Sequence, residues 1–314
     1  MERIEDHTAP AYVPLQGEIE VAGGIAVIKD YVTCPFRALS LHRFGAERIR
    51  MPHAGLNAME RGTLLHYILA QAWGQLKTKS GLDSIGEKDL EAILMHGAAE
   101  AVARIRRQRP GLAWGRFAEI EQGRLIRLAL GWLKEDRKRS DFAVVAIEAK
   151  RKVVIGGLTL TTRLDRVDEL DDGRRIIIDY KTRAPSVTTL LGDGPEEPQL
   201  PLYLVTAEPD AVALAFAQVK AGDMRFAAVA RDNDLLPGGK ALSESRYRDW
   251  YGSWEDLVAA WRINLERIVA GFMSGSAKIE PRKYPDSCRH CDARPLCRVY
   301  ERMESGIVDK AGED

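Results

Sequence analysis

The hydrophobic repeat of this chain changes period near residue 140, and few architectures accommodate such a change. Before it, "IKDYVTCPFRALSLHRF", "AMERGTLLHYILAQAWGQL", "EKDLEAILMHGAAEAVARIRR" and "FAEIEQGRLIRLALGWLKEDRKR" carry apolar residues at three-to-four spacing, which predicts four helices between Val27 and about Arg139. After it, "FAVVAIEAK", "KVVIGG", "LTLTTRLDRVDEL" and "RRIIIDYKT" read as a meander of antiparallel strands from Phe142 to Thr182. A short helix in "PQLPLYLVTAE", strands in "AVALAFAQVK" and "DMRFAAVAR", and a long helix from about Tyr247 to Ser274 follow. The expected fold is α/β, with a helical first half packed on a sheet.

Charge excludes one class of partner chemistry. Lys plus Arg and Asp plus Glu each number 46, so no global field draws the molecule to nucleic acid, and a DNA-binding face has to be local. Candidate basic clusters are Arg37, Arg43, Arg48 and Arg50, then Arg104, Arg106, Arg107 and Arg109, then Lys134, Arg137, Lys138 and Arg139; solvated helix faces are the favoured reading for any one of them. No apolar run reaches the ~18 residues of a membrane span and no signal-peptide pattern opens the chain, so a cytoplasmic protein is expected.

The most apolar strand ends in charge. In "RIIIDYKT", Asp179 and Lys181 project to one side and Tyr180 to the other. If Asp171, Asp172 and Gly173 form a three-residue hairpin loop, Leu170 pairs with Arg174 and Asp165 comes opposite Asp179, with Cβ atoms about 5 Å apart. Two such carboxylates repel unless a cation intervenes, and oxygen ligands with room for water and phosphate suit Mg²⁺ or Mn²⁺. A strand-end salt bridge between Asp179 and Lys181 is the plainer alternative. "GTLLH" puts Gly62 and His66 on one helical face, where the missing side chain admits a backbone or a ligand beside the imidazole. "QLPLY" puts Gln199 and Tyr203 on one face as possible contacts to phosphate or base.

All four cysteines fall into one set. "CRHCDARPLC" supplies Cys288, Cys291 and Cys297, while Cys34 lies far upstream in "YVTCPFRA". Four thiolates hold Zn²⁺ or a [4Fe-4S] cluster, and spacing alone does not separate the two. By the disulfide loop-entropy relation, closing so long a loop is worth roughly 5 kcal/mol as an upper bound. His290 stands between two of these thiols as a bystander.

In order and spacing, "GTLLH", "TRLDRVD", "DYKT" and "QLPLY" resemble the RecB-like branch of the PD-(D/E)XK nuclease superfamily. One cysteine before the core and three after it resemble its AddB-type iron–sulfur members. The resemblance implies a restriction-endonuclease-like core, a mixed sheet flanked by helices. It implies His66, Asp165, Asp179 and the Tyr180 carbonyl as metal ligands, Lys181 as the catalytic lysine, and Gln199 and Tyr203 steadying the site or the DNA. Glu148 falls where such nucleases carry an acidic group, here outside the ligand set. The cofactors implied are Mg²⁺ or Mn²⁺ and a structural [4Fe-4S] cluster, with zinc the lesser alternative.

The domain plan expected is a tail or linker remnant over 1–24, a nuclease domain over 25–304 and a tail over 305–314. Within the domain, 25–140 is helical, 141–240 is the catalytic core, and 245–304 holds the closing helix and cysteines. The function expected is Mg²⁺-dependent hydrolysis of DNA in repair or recombination, by an exonuclease or single-strand and end-processing enzyme. No Walker A pattern occurs, so a helicase-like module is the partner expected. The rival readings are a non-catalytic DNA-binding module and a zinc-binding scaffold.

Overall fold

The computed structural model describes residues 14–46, 53–112, 114–192 and 194–304. Residues 1–13, the expected tail at 305–314, and Arg48 and Arg50 of the first basic cluster lie outside these. The fold opens with a short strand, β1 (Ile19–Glu20), and two helices, α1 (Ala26–Thr33) and α2 (Pro35–His42). Four further helices follow: α3 (Ala58–Leu76), α4 (Lys79–Ser84), α5 (Glu87–Gln108) and α6 (Gly115–Asp136). Strands β2 (Phe142–Ile155), β3 (Leu158–Leu170) and β4 (Arg175–Lys181) precede helix α7 (Gln199–Thr206). Strands β5 (Ala211–Gln218) and β6 (Arg225–Ala230) and helix α8 (Trp254–Met273) complete the main elements.

The sheet runs β1-β3-β4-β5-β6 with β2 also on β3, and it is mixed, as expected. Strands β2, β3 and β4 are antiparallel, whereas α7 provides the crossover that makes β4 and β5 parallel. Alternation along β4 divides the apolar interior in two. Ile176 and Ile178 join α3, α5 and α6 in one core, and Ile177 joins α1, α7 and α8 in the other. All three isoleucines are fully buried, so β4 is fixed from both faces.

Three expectations are corrected. The helix read across 28–44 is two, because the ring of Pro35 disfavours helical geometry at the residue before it, and Cys34 is extended at φ −170° and ψ 123°. The strand read as two pieces is the single β2, bent by a bulge between Val144 and Ala146. The closing helix begins at Trp254 rather than near Tyr247, where the Ser253 hydroxyl accepts from the Asp256 N–H and caps it.

Part of the expected N-terminal tail is docked. Ile19 and Glu20 pair in parallel with Leu158 and Thr159, and the Leu15 N–H donates to the Met273 carbonyl at 2.8 Å. Gly24 makes the approach possible: its φ is +55°, and a Cβ there would stand 2.4 Å from the Thr161 carbonyl oxygen. Gly24→Ala is expected to cost on the order of 2 kcal/mol in denaturant unfolding. An unchanged midpoint would mean that the segment is not held against β3.

Candidate metal centre

The hairpin loop between β3 and β4 sets the geometry. Glu169 pairs with Arg175 and Arg166 with Ile178, and the Leu170 N–H donates to the Arg174 carbonyl at 2.8 Å. This register puts Asp165 opposite Asp179, just past the last ladder pair. Across the other edge of β3, Ile147 pairs with Arg166 and Ala149 with Leu164, so Glu148 comes opposite Asp165 as well. Glu148, Asp165 and Asp179 thus form one row across three strands. Glu148 has φ +45°, a left-handed conformation that interrupts the regular alternation of β2 at this position.

Helix α3 brings His66 to the row. Its Nδ1 lies 3.3 Å from Asp165 Oδ2 and 3.9 Å from Glu148 Oε1, and its Nε2 donates to the Tyr180 carbonyl at 3.0 Å. One ligand atom each from His66, Glu148 and Asp165 falls within a mutual 4.8 Å. The donor set, an imidazole, carboxylates and a backbone carbonyl, is the chemistry a hard divalent ion takes. Glu148, expected outside the ligand set, stands inside this trio. Asp179 instead faces Lys181, whose Nζ is 2.7 Å from Asp179 Oδ2, an ion contact off the alignment of a hydrogen bond. Nothing approaches within 4 Å of the position a Cβ would take at Gly62, so the α3 face above His66 is open to a ligand and no backbone fills it.

Glu197 was not singled out by sequence reasoning, and nothing local marks it. Its Oε2 lies 3.7 Å from Lys181 Nζ while its Oε1 accepts from Lys29 Nζ at 2.6 Å. Lys181 therefore sits between two carboxylates, with the Phe216 ring 5.6 Å away. Gln199 donates to the Arg163 carbonyl at 3.3 Å, one strand residue from Leu164 and two from Asp165. Tyr203 is buried in the core behind the row, and burial raises its phenol pKa; the structure gives it no surface on which to meet a base.

The carboxyls of the row differ in acidity. Burial, then the charge of Asp165, raises Asp179 to about 7 against the pull of Lys181. Burial and Asp165 likewise raise Glu148. Asp165 is lowered: burial opposes this, but His66 and the Tyr180 N–H, which donates to Oδ2 at 3.0 Å, prevail. Burial would lower His66, yet Asp165, Asp179 and Glu148 raise it to about 9. Lys181 is raised by Asp179 and Glu197 despite its burial.

The four cysteines lie in one neighbourhood, since Cys34, Cys291 and Cys297 all bear on the thiol of Cys288, but they do not form a tight ligand trio like that at His66. The Phe36 N–H donates to the Lys278 carbonyl at 3.1 Å and the Arg282 N–H to the Thr33 carbonyl at 2.9 Å, tying the α1–α2 corner to the C-terminal segment. Cys34, Cys288, Cys291 and Cys297 are all free thiols, partly buried. Burial and the neighbouring Cys291, Cys34 and Cys297 raise Cys288; burial raises Cys291, which Arg37 partly offsets. His290 is exposed. Several members of the basic clusters are occupied by acids: Arg37 meets Asp30, Arg109 meets Glu60, Lys138 meets Glu135, and Arg139 is buried against Asp136 and Asp168.

The protonated His66 makes a test without added metal. Its folded pKa exceeds its ordinary 6.5, so its stabilisation is complete below that value and is lost as pH rises through about 9. Asp179, raised to about 7, has the same sign over a lower window. In chelator, the melting temperature is expected to fall steadily between pH 6.5 and 9, and His66→Gln to flatten the upper part of that fall. A parent whose stability is level over this range would contradict the raised pKa of His66.

No curated protein matches the chain. Among solved structures, the crystal structure of SSO0001 is similar over 87% of this chain and 95% of that one, at 13% identity and a TM-score of 0.32. The sequence match is more decisive: residues 25–298, containing every element from α1 to α8 and all four cysteines, match the PD-(D/E)XK nuclease superfamily, and the chain belongs to that superfamily.

Proposed function

We propose that this protein is a Mg²⁺- or Mn²⁺-dependent deoxyribonuclease of the RecB and AddB kind, acting on DNA ends or single strands in repair or recombination. The observation that carries the reading is the row of Glu148, Asp165 and Asp179 across three strands, with His66 on one side and Lys181 on the other. Superfamily membership supports it, since the superfamily generally comprises metal-dependent nucleases.

His66, Glu148, Asp165 and the Tyr180 carbonyl would hold the ion, with Asp179 beside them. When bound, a divalent ion supplies Lewis acidity to a phosphoryl oxygen and lowers the pKa of a coordinated water. Lys181, fixed between Asp179 and Glu197, presents its ammonium where negative charge gathers on the phosphate. Gln199 steadies the β3 backbone beside Asp165 through the Arg163 carbonyl. Cleavage of end-labelled single- and double-stranded DNA with Mg²⁺ or Mn²⁺ is expected from the parent. It should fall by about two to three orders of magnitude in Lys181→Ala. No cleavage by folded, metal-loaded parent would sink the reading in favour of a DNA-binding module.

On this reading Cys34, Cys288, Cys291 and Cys297 would hold a [4Fe-4S] cluster, the AddB-like layout favouring iron over zinc. Anaerobically purified protein is expected to be brown and to contain iron, and Cys291→Ser to be colourless with a lower melting temperature. A colourless, zinc-containing parent would overturn this part. A helicase-like module is the partner this reading implies, in a cytoplasmic setting. Among the described residues no helix is long and apolar enough to cross a membrane.

A further inference from the structure

Behind the carboxylate row lies a second charged assembly that the chemistry above does not use. Arg166 is the neighbour of Asp165 in β3 and is 1% exposed. Its Nε and one terminal nitrogen donate to the two oxygens of Asp168 at 2.6 and 2.8 Å, and the other nitrogen donates to Asp136 Oδ2 at 2.8 Å. Arg139, also buried, donates to Asp136 at 3.1 Å and to Asp168 at 2.5 Å. Two guanidinium groups and two carboxylates therefore close a neutral set, shut in by aromatic rings. The Arg166 guanidinium lies 4.1 Å from the Trp73 ring centre, and that of Arg139 lies 4.0 Å from the Phe142 ring centre.

The bond that leaves this set goes to Tyr180. The nitrogen of Arg166 that meets Asp136 also donates to the Tyr180 hydroxyl at 3.1 Å. Tyr180 is anchored at three points: its hydroxyl by Arg166, its N–H by Asp165 at 3.0 Å, and its carbonyl by His66 at 3.0 Å. Its ring also packs edge-on against Trp132, 6.1 Å between centres, and against His66 at 5.8 Å. The β3–β4 ladder ends at Arg166 and Ile178, so no ladder pair fixes the two strands at Asp165 and Asp179. The Arg166–Tyr180 bond spans the strands at that point from behind.

We infer that Arg166, through the Tyr180 hydroxyl, is a positioning residue for the metal centre: it sets the direction of the Tyr180 carbonyl and the separation of Asp165 from Asp179. This rests on the metal-dependent nuclease reading. Groups that orient ligands from behind commonly change metal affinity by about 10- to 100-fold when removed. Arg166 is suited to the task because a guanidinium presents its donors in a rigid planar fork, and here the two aspartates and the rings leave it one orientation.

Removing Arg166 itself would strand two buried carboxylates and confound affinity with folding. Tyr180→Phe keeps the ring, the charge set and the backbone ligand, and deletes only the hydroxyl. The experiment measures Mn²⁺ binding to parent and Tyr180→Phe by the electron paramagnetic resonance of free Mn²⁺, together with circular dichroism and melting temperature. The expected result is a folded variant whose Mn²⁺ dissociation constant rises about tenfold or more, with the Mn²⁺ concentration for half-maximal cleavage rising in parallel. A hydroxyl that served packing alone would lower the melting temperature and leave Mn²⁺ affinity unchanged, and that result overturns the inference. A parent that binds no Mn²⁺ would instead overturn the metal-centre reading, and the inference with it.

Discussion

Like charges held close in a dry place need a compensating cation, and this requirement organises the centre of the molecule. Strand pairing alone brings Glu148, Asp165 and Asp179 into a row, because the hairpin loop fixes one register and the bulge in β2 fixes the other. The chain meets the repulsion in two ways. Lys181 and His66 stand at the two sides of the row, and burial beside Asp165 holds the carboxyls of Asp179 and Glu148 above the ordinary carboxylate range. A divalent ion would need little rearrangement there, since His66, Glu148 and Asp165 already converge.

Such convergence depends on a stiff support. The three isoleucines of β4 alternate between two cores, so neither Asp179 nor Lys181 can shift without disturbing packing on both faces. On the helical side the support is polar. Asp136, Arg139, Arg166 and Asp168 are buried at neutral net charge, an arrangement that adds little stability over an apolar core of the same shape but admits few alternatives. Rigidity is added where the β3–β4 ladder has ended and β4 is paired only with β5.

The sequence was most informative where structure is set locally. The bounds of α3, the loop at Asp171 to Gly173 and the register it imposes were all legible, because turn chemistry and periodicity act over a few residues. The break at Pro35 was legible too, but the apolar repeat on either side of it obscured the signal. Glu148 was underestimated because strand alternation says nothing about a residue at positive φ. Arg166 and Asp168 were hidden for a different reason. "TRLDRVD" is rich in charge, and the burial of Arg166 and Asp168 depends on Asp136 and Arg139, about thirty residues earlier in the chain. No local pattern encodes a neutralising partner at that distance. The segment before Gly24 was likewise read as tail, since a two-residue strand has no period to detect.

One short helix links the two chemically distinctive regions. Asp30 of α1 holds both Arg37 and His42 of α2, and this corner carries Cys34 beside the C-terminal segment. The preceding residue, Lys29, reaches Glu197, whose other oxygen faces Lys181. Successive residues of α1 thus point toward the cysteine corner and toward the lysine of the site. Because α1 has only eight residues, its own hydrogen bonds cannot maintain it, and it depends on packing against α8 and on the backbone bonds at the corner. The placement of the corner that carries Cys34 therefore bears on how firmly Glu197 and Lys181 are held, through the position of a helix.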